Sequence, residues 1–277
     1  MPEPRERRSD DPRPAGRRSG SPPRSGRSGR SGQPSGASPR PRGSGSPAPS
    51  DRPRRVRPEE PPLPAGIDPR ELDRGARAGL RSLPKDLAER IALHLVAAGQ
   101  VIDDDPAAAA AHTRYARGLA PRLAVVREAA GVAAYRNGDF AEALSELRAV
   151  RRMTGDPTYL PIMADCERGL GRPDRALALA ADPDVERLAP AERVEMAIVT
   201  SGARRDRGEA KAAVVALQGP ELDRSDVAPW TVRLWYAYAA ALLDAGRTSE
   251  AAQWFASVVA IDEHDETDAE ERLAALE

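Results

Sequence analysis

Few residues in this chain have the types and spacing that chemistry needs. His94, His112 and His264 are its three histidines, far apart, with no Cys or carboxylate at metal-ligand spacing. His94 lies in a leucine-rich stretch, where a satisfied or half-exposed imidazole is the simpler reading. Cys166 is the lone cysteine, so it has no disulfide partner within the chain. No histidine stands near it in sequence to activate the thiol, which reads as a small packing residue. Two acidic runs, Asp103–Asp105 and residues 262–271 with seven acids in ten, invite a cation. Neither has the glycine or the spacing of a calcium loop. The first reads as a helix stop and an N-cap before Pro106, the second as a solvated end or a docking place for the chain's own Arg-rich N-terminal arm. No nucleophile elbow or phosphate-binding glycine loop is present. The expectation is a protein with no catalytic residue, no metal site and no cofactor.

The elements around these residues read as helix from Pro69 onward. Ala, Leu, Arg and Glu dominate, β-branched runs are scarce, and Pro, Gly or Asp interrupts at regular intervals. Gly138, Gly171, Gly208 and Gly246 each precede an amphipathic stretch, at spacings of 33, 37 and 38 residues. Five residues after each glycine stand Ala143, Ala176, Ala213 and Ala251; four further on stand Leu147, Ala180, Leu217 and Phe255. The columns have a physical reason. Glycine adopts the left-handed conformation that closes a first helix, alanine lets a second helix lie close against it, and the larger residue fills the space one turn later. One hairpin leaves an apolar face bare, and the next hairpin covers it.

The fourth copy carries Trp235, Ala239 and Leu242, then Gly246, Ala251, Phe255 and Val258, and it resembles a tetratricopeptide repeat (TPR). The first copy is similar, with Gly131, Ala134, Gly138, Phe140, Ala143, Leu147 and Val150. The second has Leu160, Ala164, Gly171 and Ala176, but Glu167 occupies a usually bulky position and Pro161 implies a late helix start. The third has Ser201 and Ala213, with Arg204 departing from the pattern. The family's period is about 34 residues, so the extra residues are expected in the inter-repeat loops near 182–190 and 219–229. The resemblance covers about 135 residues, 127–261.

The resemblance implies an all-α fold, a right-handed superhelical solenoid of helix hairpins with a disordered N-terminal tail. Its segments are expected as a basic tail over 1–66, N-terminal helices with a degenerate repeat over 67–122, four repeats over 123–262, and an acidic capping helix over 263–277. The degenerate repeat would pair helices at 86–100 and 106–118, and Thr267 to Glu270 reads as a capping box starting the last helix. The resemblance also implies a concave groove lined by the first helix of each repeat, accepting another protein or peptide. Carried over, its lining is Glu128, Val132, Tyr135 and Arg136, then Ile162, Asp165 and Arg168, then Ile198 and Arg205, then Arg233, Tyr236 and Ala240. The Lys and Asn that clamp a C-terminal carboxylate in part of the family are not at these positions. The mix of Arg, Tyr and aliphatic residues suits a partly acidic, partly apolar peptide. Trp235 and Phe255 occupy packing columns; Trp230 and Tyr236 do not, and are the interface-anchor candidates. Self-association through this aromatic repeat is a further expectation.

Residues 1–66 contain 16 Pro, 11 Ser and 9 Gly, and cannot bury enough apolar surface to offset ordering. They carry 15 Arg against seven acids, whereas residues 67–277 carry a net charge of −9. A basic arm on an acidic body suggests an electrostatic partner for the arm, whether the phosphate backbone of nucleic acid, an anionic surface or the body itself, or equally a mere solubilising tail. Only Lys85 and Lys211 among the 42 basic residues are lysines, a bias that a GC-rich genome also produces. The first residues lack a signal peptide's apolar core, and the run from Leu234 to Leu243 is too short to span a bilayer. A cytoplasmic protein with no membrane partner is the resulting expectation.

Overall fold

The computed structural model describes residues 59–223 and 227–276. Among them the regular structure is entirely helical, with twelve α-helices, three short 3-10 turns and no strand. After the short α1 (Arg74–Gly79) come α2 (Lys85–Val101), α3 (Pro106–Leu119), α4 (Ala124–Arg136) and α5 (Phe140–Thr154). Then follow α6 (Leu160–Gly169), α7 (Pro173–Ala180), α8 (Pro190–Asp206) and α9 (Ala210–Ala216), and finally α10 (Thr231–Asp244), α11 (Thr248–Val259) and α12 (Ala269–Ala274). The helices from α2 to α11 pack as successive pairs, α2 on α3, α4 on α5, α6 on α7, α8 on α9 and α10 on α11. Each pair touches the next, and α8 contacts both α6 and α10 directly.

The four glycines of the sequence columns close α4, α6, α8 and α10 in the same way. Gly138, Gly171, Gly208 and Gly246 have φ between +70° and +78°. Nothing lies within 4 Å of a Cβ built on any of them, so backbone conformation and not space selects glycine. In each closure the residue after the glycine donates its N–H to the carbonyl five residues back. Asp139 bonds to Ala134 at 2.8 Å, and Arg172 to Glu167, Glu209 to Arg204 and Arg247 to Leu242 at 2.9 Å. This pairing satisfies carbonyls that a helix end otherwise leaves bare. Gly131 has a different reason. A Cβ there would sit 2.6 Å from Leu147 Cδ2, so the crossing of α4 and α5 demands a bare Cα.

The alanine column is buried at all four positions, and Leu147, Leu217 and Phe255 are buried behind it. Ala180, at the end of the short α7, is only half-buried. The core divides along the chain. Leu80, Ile91, Leu95 and Val126 form one cluster, Leu144, Leu160, Met163 and Met196 a second, and Leu234, Trp235, Leu242 and Phe255 a third. The extra inter-repeat residues fall where expected, in the 3-10 turns Pro183–Arg187 and Pro220–Leu222.

Asp105 caps α3 as anticipated, its Oδ1 accepting the Ala108 N–H at 2.9 Å. The capping box does not form. Thr267 instead donates its hydroxyl to Asp262 at 2.7 Å, and the N-cap of α12 is Asp268. That carboxylate makes no cap bond, because Tyr236 and Arg272 already donate to it. Residues 1–58, which hold every arginine of the basic tail, lie outside the described residues. No helix of the described residues is long and apolar enough to cross a membrane.

Candidate partner-binding face

Ala240 apart, the residues carried over from the resemblance recur mainly at steps of three, four and seven residues along α4, α6, α8 and α10, which places each set on one side of its helix. Val132, Ile162 and Ile198 are half-buried on it. Ala240 is a correction: it is 2% exposed and packed inside the α10–α11 core, so its side chain does not reach the face. One turn earlier, Ala237 takes the place on the face that Ala240 was expected to hold.

The polar groups of this face are bonded to one another across neighbouring hairpins. Tyr159 donates to Glu128, and Tyr135 donates to Asp165 at 2.7 Å. Burial and that carboxylate push the Tyr135 hydroxyl pKa up, keeping it a donor. Arg168 reaches Asp165 at 2.7 Å and Asp206, at the end of α8, at 2.8 Å. Arg205 reaches Asp244, at the end of α10, at 2.5 Å, and Arg233 reaches back to Glu195 on α8 at 2.7 Å. Arg136 pairs with Asp103, and Tyr236 donates to Asp268. Every arginine assigned to the face is therefore held by a carboxylate.

Five of the assigned residues, Arg168, Ile198, Arg205, Arg233 and Tyr236, meet around one concavity of about 430 Å³. Its floor includes Ser201 and Gly202 of α8 and Ala237 of α10; its far side is formed by Glu266, Thr267 and Asp268. A Cβ on Gly202 would lie 2.8 Å from Arg168 Cζ, so the guanidinium rests on the bare Cα of α8. Ser201 is 1% exposed and its hydroxyl has no hydrogen-bond partner among the described residues. Sequence reasoning gave Ser201 only a repeat-packing place and missed Gly202, although they stand three and four positions after Ile198. A second concavity of about 550 Å³ lies on the other side of Arg168, bounded by Phe140, Asp165, Pro173 and Asp206. Glu128, Val132, Tyr135, Arg136 and Ile162 line neither. Tyr236 is half-buried at the first concavity, its ring 5.8 Å from that of Phe255, whereas Trp230 packs against the third core cluster.

No protein-family model matches this chain, and neither does any curated protein.

Other polar groups the sequence scattered are gathered elsewhere. His94 and His112 are both buried, with their Nδ1 atoms 2.9 Å apart. His94 Nε2 lies 3.3 Å from Glu60 Oε1, so His94 donates to the carboxylate through Nε2–H while its Nδ1 accepts from His112. Burial holds both imidazole pKa values below the ordinary range. Arg90 donates through Nε to Glu60 at 3.0 Å and, with that bond as the largest cause, holds its pKa at about 2. A signal for the histidine pair was available: they stand at equal distances from the middle of the 101–105 turn, hence level with each other in an antiparallel hairpin. Cys166 is fully buried, and burial pushes its thiol up to about 12. Among the described residues no group of three or more His, Cys, Asp or Glu could hold a metal ion.

Proposed function

We propose that this chain is a TPR-like scaffold, a solenoid of helix hairpins that binds a segment of another protein along α4, α6, α8 and α10 and performs no chemistry. The observation that carries this reading is the convergence of Arg168, Ile198, Arg205, Arg233 and Tyr236 on one concavity. Those residues were assigned from the repeat register alone, and they come from three different helix pairs. Further support comes from the four equivalent glycine closures and the buried alanine column, which together repeat one hairpin geometry. A rigid array of this kind presents a preformed surface, so a ligand segment bears most of the ordering cost.

The test is to fill the concavity. Ala237→Tyr places a ring in the space between Tyr236 and Ile198, and Ile198→Arg offers a second route to the same block. Affinity capture with wild-type and both variants, each checked by thermal unfolding, should retain a protein that both folded variants lose. Retention of the same proteins by well-folded variants would move the binding surface elsewhere.

A further inference from the structure

We infer that the segment bound on this face is basic, carrying Lys or Arg side chains, and not the partly acidic peptide its residue types suggest. The inference rests on the reading of α6, α8 and α10 as the binding surface and adds the chemistry of the occupant. Arg168, Arg205 and Arg233 are matched one for one by Asp206, Asp244 and Glu195. Beyond those pairs remain Asp165, Glu266 and Asp268, against Arg272 alone, so negative charge is in excess. Glu266 is exposed and its carboxylate has no ion-pair or hydrogen-bond partner among the described residues.

Hydrogen-bond capacity points the same way. Asp206, Asp244 and Glu195 each use one oxygen for their arginine, and the other has no hydrogen-bond partner among the described residues. Ammonium and guanidinium groups are donors only, and so complement these open acceptors; a carboxylate is an acceptor only. An acidic segment would have to share guanidinium groups that carboxylates on neighbouring helices already hold. Asp165 and Asp206 bound one concavity with Arg168 as its single base, and Glu266 and Asp268 lie on the other, whose three arginines are each held by a carboxylate. A basic side chain thus has a counter-charge in either.

The experiment uses the full chain and three labelled dodecapeptides on one Ala/Gly/Val frame, carrying Arg, Gln or Glu at the same positions. Binding is read by fluorescence anisotropy, and the quantity that counts is the part Ala237→Tyr removes. An acidic probe held merely by the arginines of residues 1–58 is indifferent to that change. The expected result is Ala237→Tyr-sensitive binding of the Arg peptide, weakened about fivefold by Glu266→Lys. A preference of the sensitive component for the Glu peptide would overturn this inference and leave the groove reading standing. Binding of the Arg peptide unmoved by Glu266→Lys would also overturn it. Sensitive binding of none of the three peptides would count against both readings.

Discussion

Leu242 and Glu167 occupy the same place in two copies of the hairpin, seven residues after Trp235 and Leu160, which lead their helices' packing faces. Both are completely buried. Around Leu242 the core is hydrocarbon and aromatic, with Trp254 edge-on to Trp235 and Tyr238 at ring distances of 5.7 and 5.1 Å. Around Glu167 two arginines reach in from the surface, Arg148 at 2.6 Å and Arg172 at 3.5 Å, one from the preceding hairpin and one from the following turn. The fold therefore fills one repeat position by two means. A dry core gains from burial directly; a buried carboxylate must first offset its desolvation with its partners, and often does little better than break even.

The largest effect should come from emptying the dry version. Leu242→Ala is expected to cost about 2–5 kcal/mol through lost burial and the cavity left behind, read as a drop in urea midpoint. Glu167→Leu should instead leave stability unchanged or raise it by up to about 4 kcal/mol, since hydrocarbon of similar volume replaces a desolvated charge. A large loss on Glu167→Leu would mean that the ion pairs hold neighbouring hairpins together beyond what the packing provides.

The alanine column sharpens the comparison. Ala143 and Ala251 are both 0% exposed, and enlarging either to Leu should destabilise by about 1–3 kcal/mol through overpacking. Unchanged thermal unfolding in both would break the assumed equivalence of the repeats.

The smallest effect belongs to the histidine pair of α2 and α3, a second case of polar groups inside the core. Both imidazole pKa values are held down by burial, from an ordinary value of 6.5. In the unfolded chain the imidazoles take up protons that the folded chain refuses, so stability present above 6.5 is lost as pH falls through the lowered folded values. Denaturant midpoints measured from about pH 7.5 to about 5.5 should fall, and His112→Gln should flatten that slope. Glu60, whose pKa is about 2, titrates in a separate and more acidic window.

The helical class, the glycine closures and the alanine column were legible in the sequence because each is a local rule repeated four times. That Arg168, Ile198, Arg205, Arg233 and Tyr236 share one side was legible for the same reason, since register along a helix fixes which side chains share a side. Their partners were not. Whether Arg205 points to a ligand or to Asp244 depends on how far the next hairpin is shifted, and no local pattern records that. The capping box failed for a related reason: Thr267 and Glu270 have the right spacing, but Asp262, five residues earlier, claimed Thr267, and Tyr236, brought near by tertiary packing, claimed Asp268. Ala240 shows the limit of register itself, because three residues separate a position on the face from one inside the core.

Cys166, sealed in α6 with a thiol that stays protonated at neutral pH, gives the molecule an internal timer. A thiol reagent can reach it only when the middle of the array opens, so the modification rate reports the frequency of that opening. Read beside global unfolding, the timer would tell whether the hairpin containing the buried carboxylate breathes on its own or moves only with the whole chain.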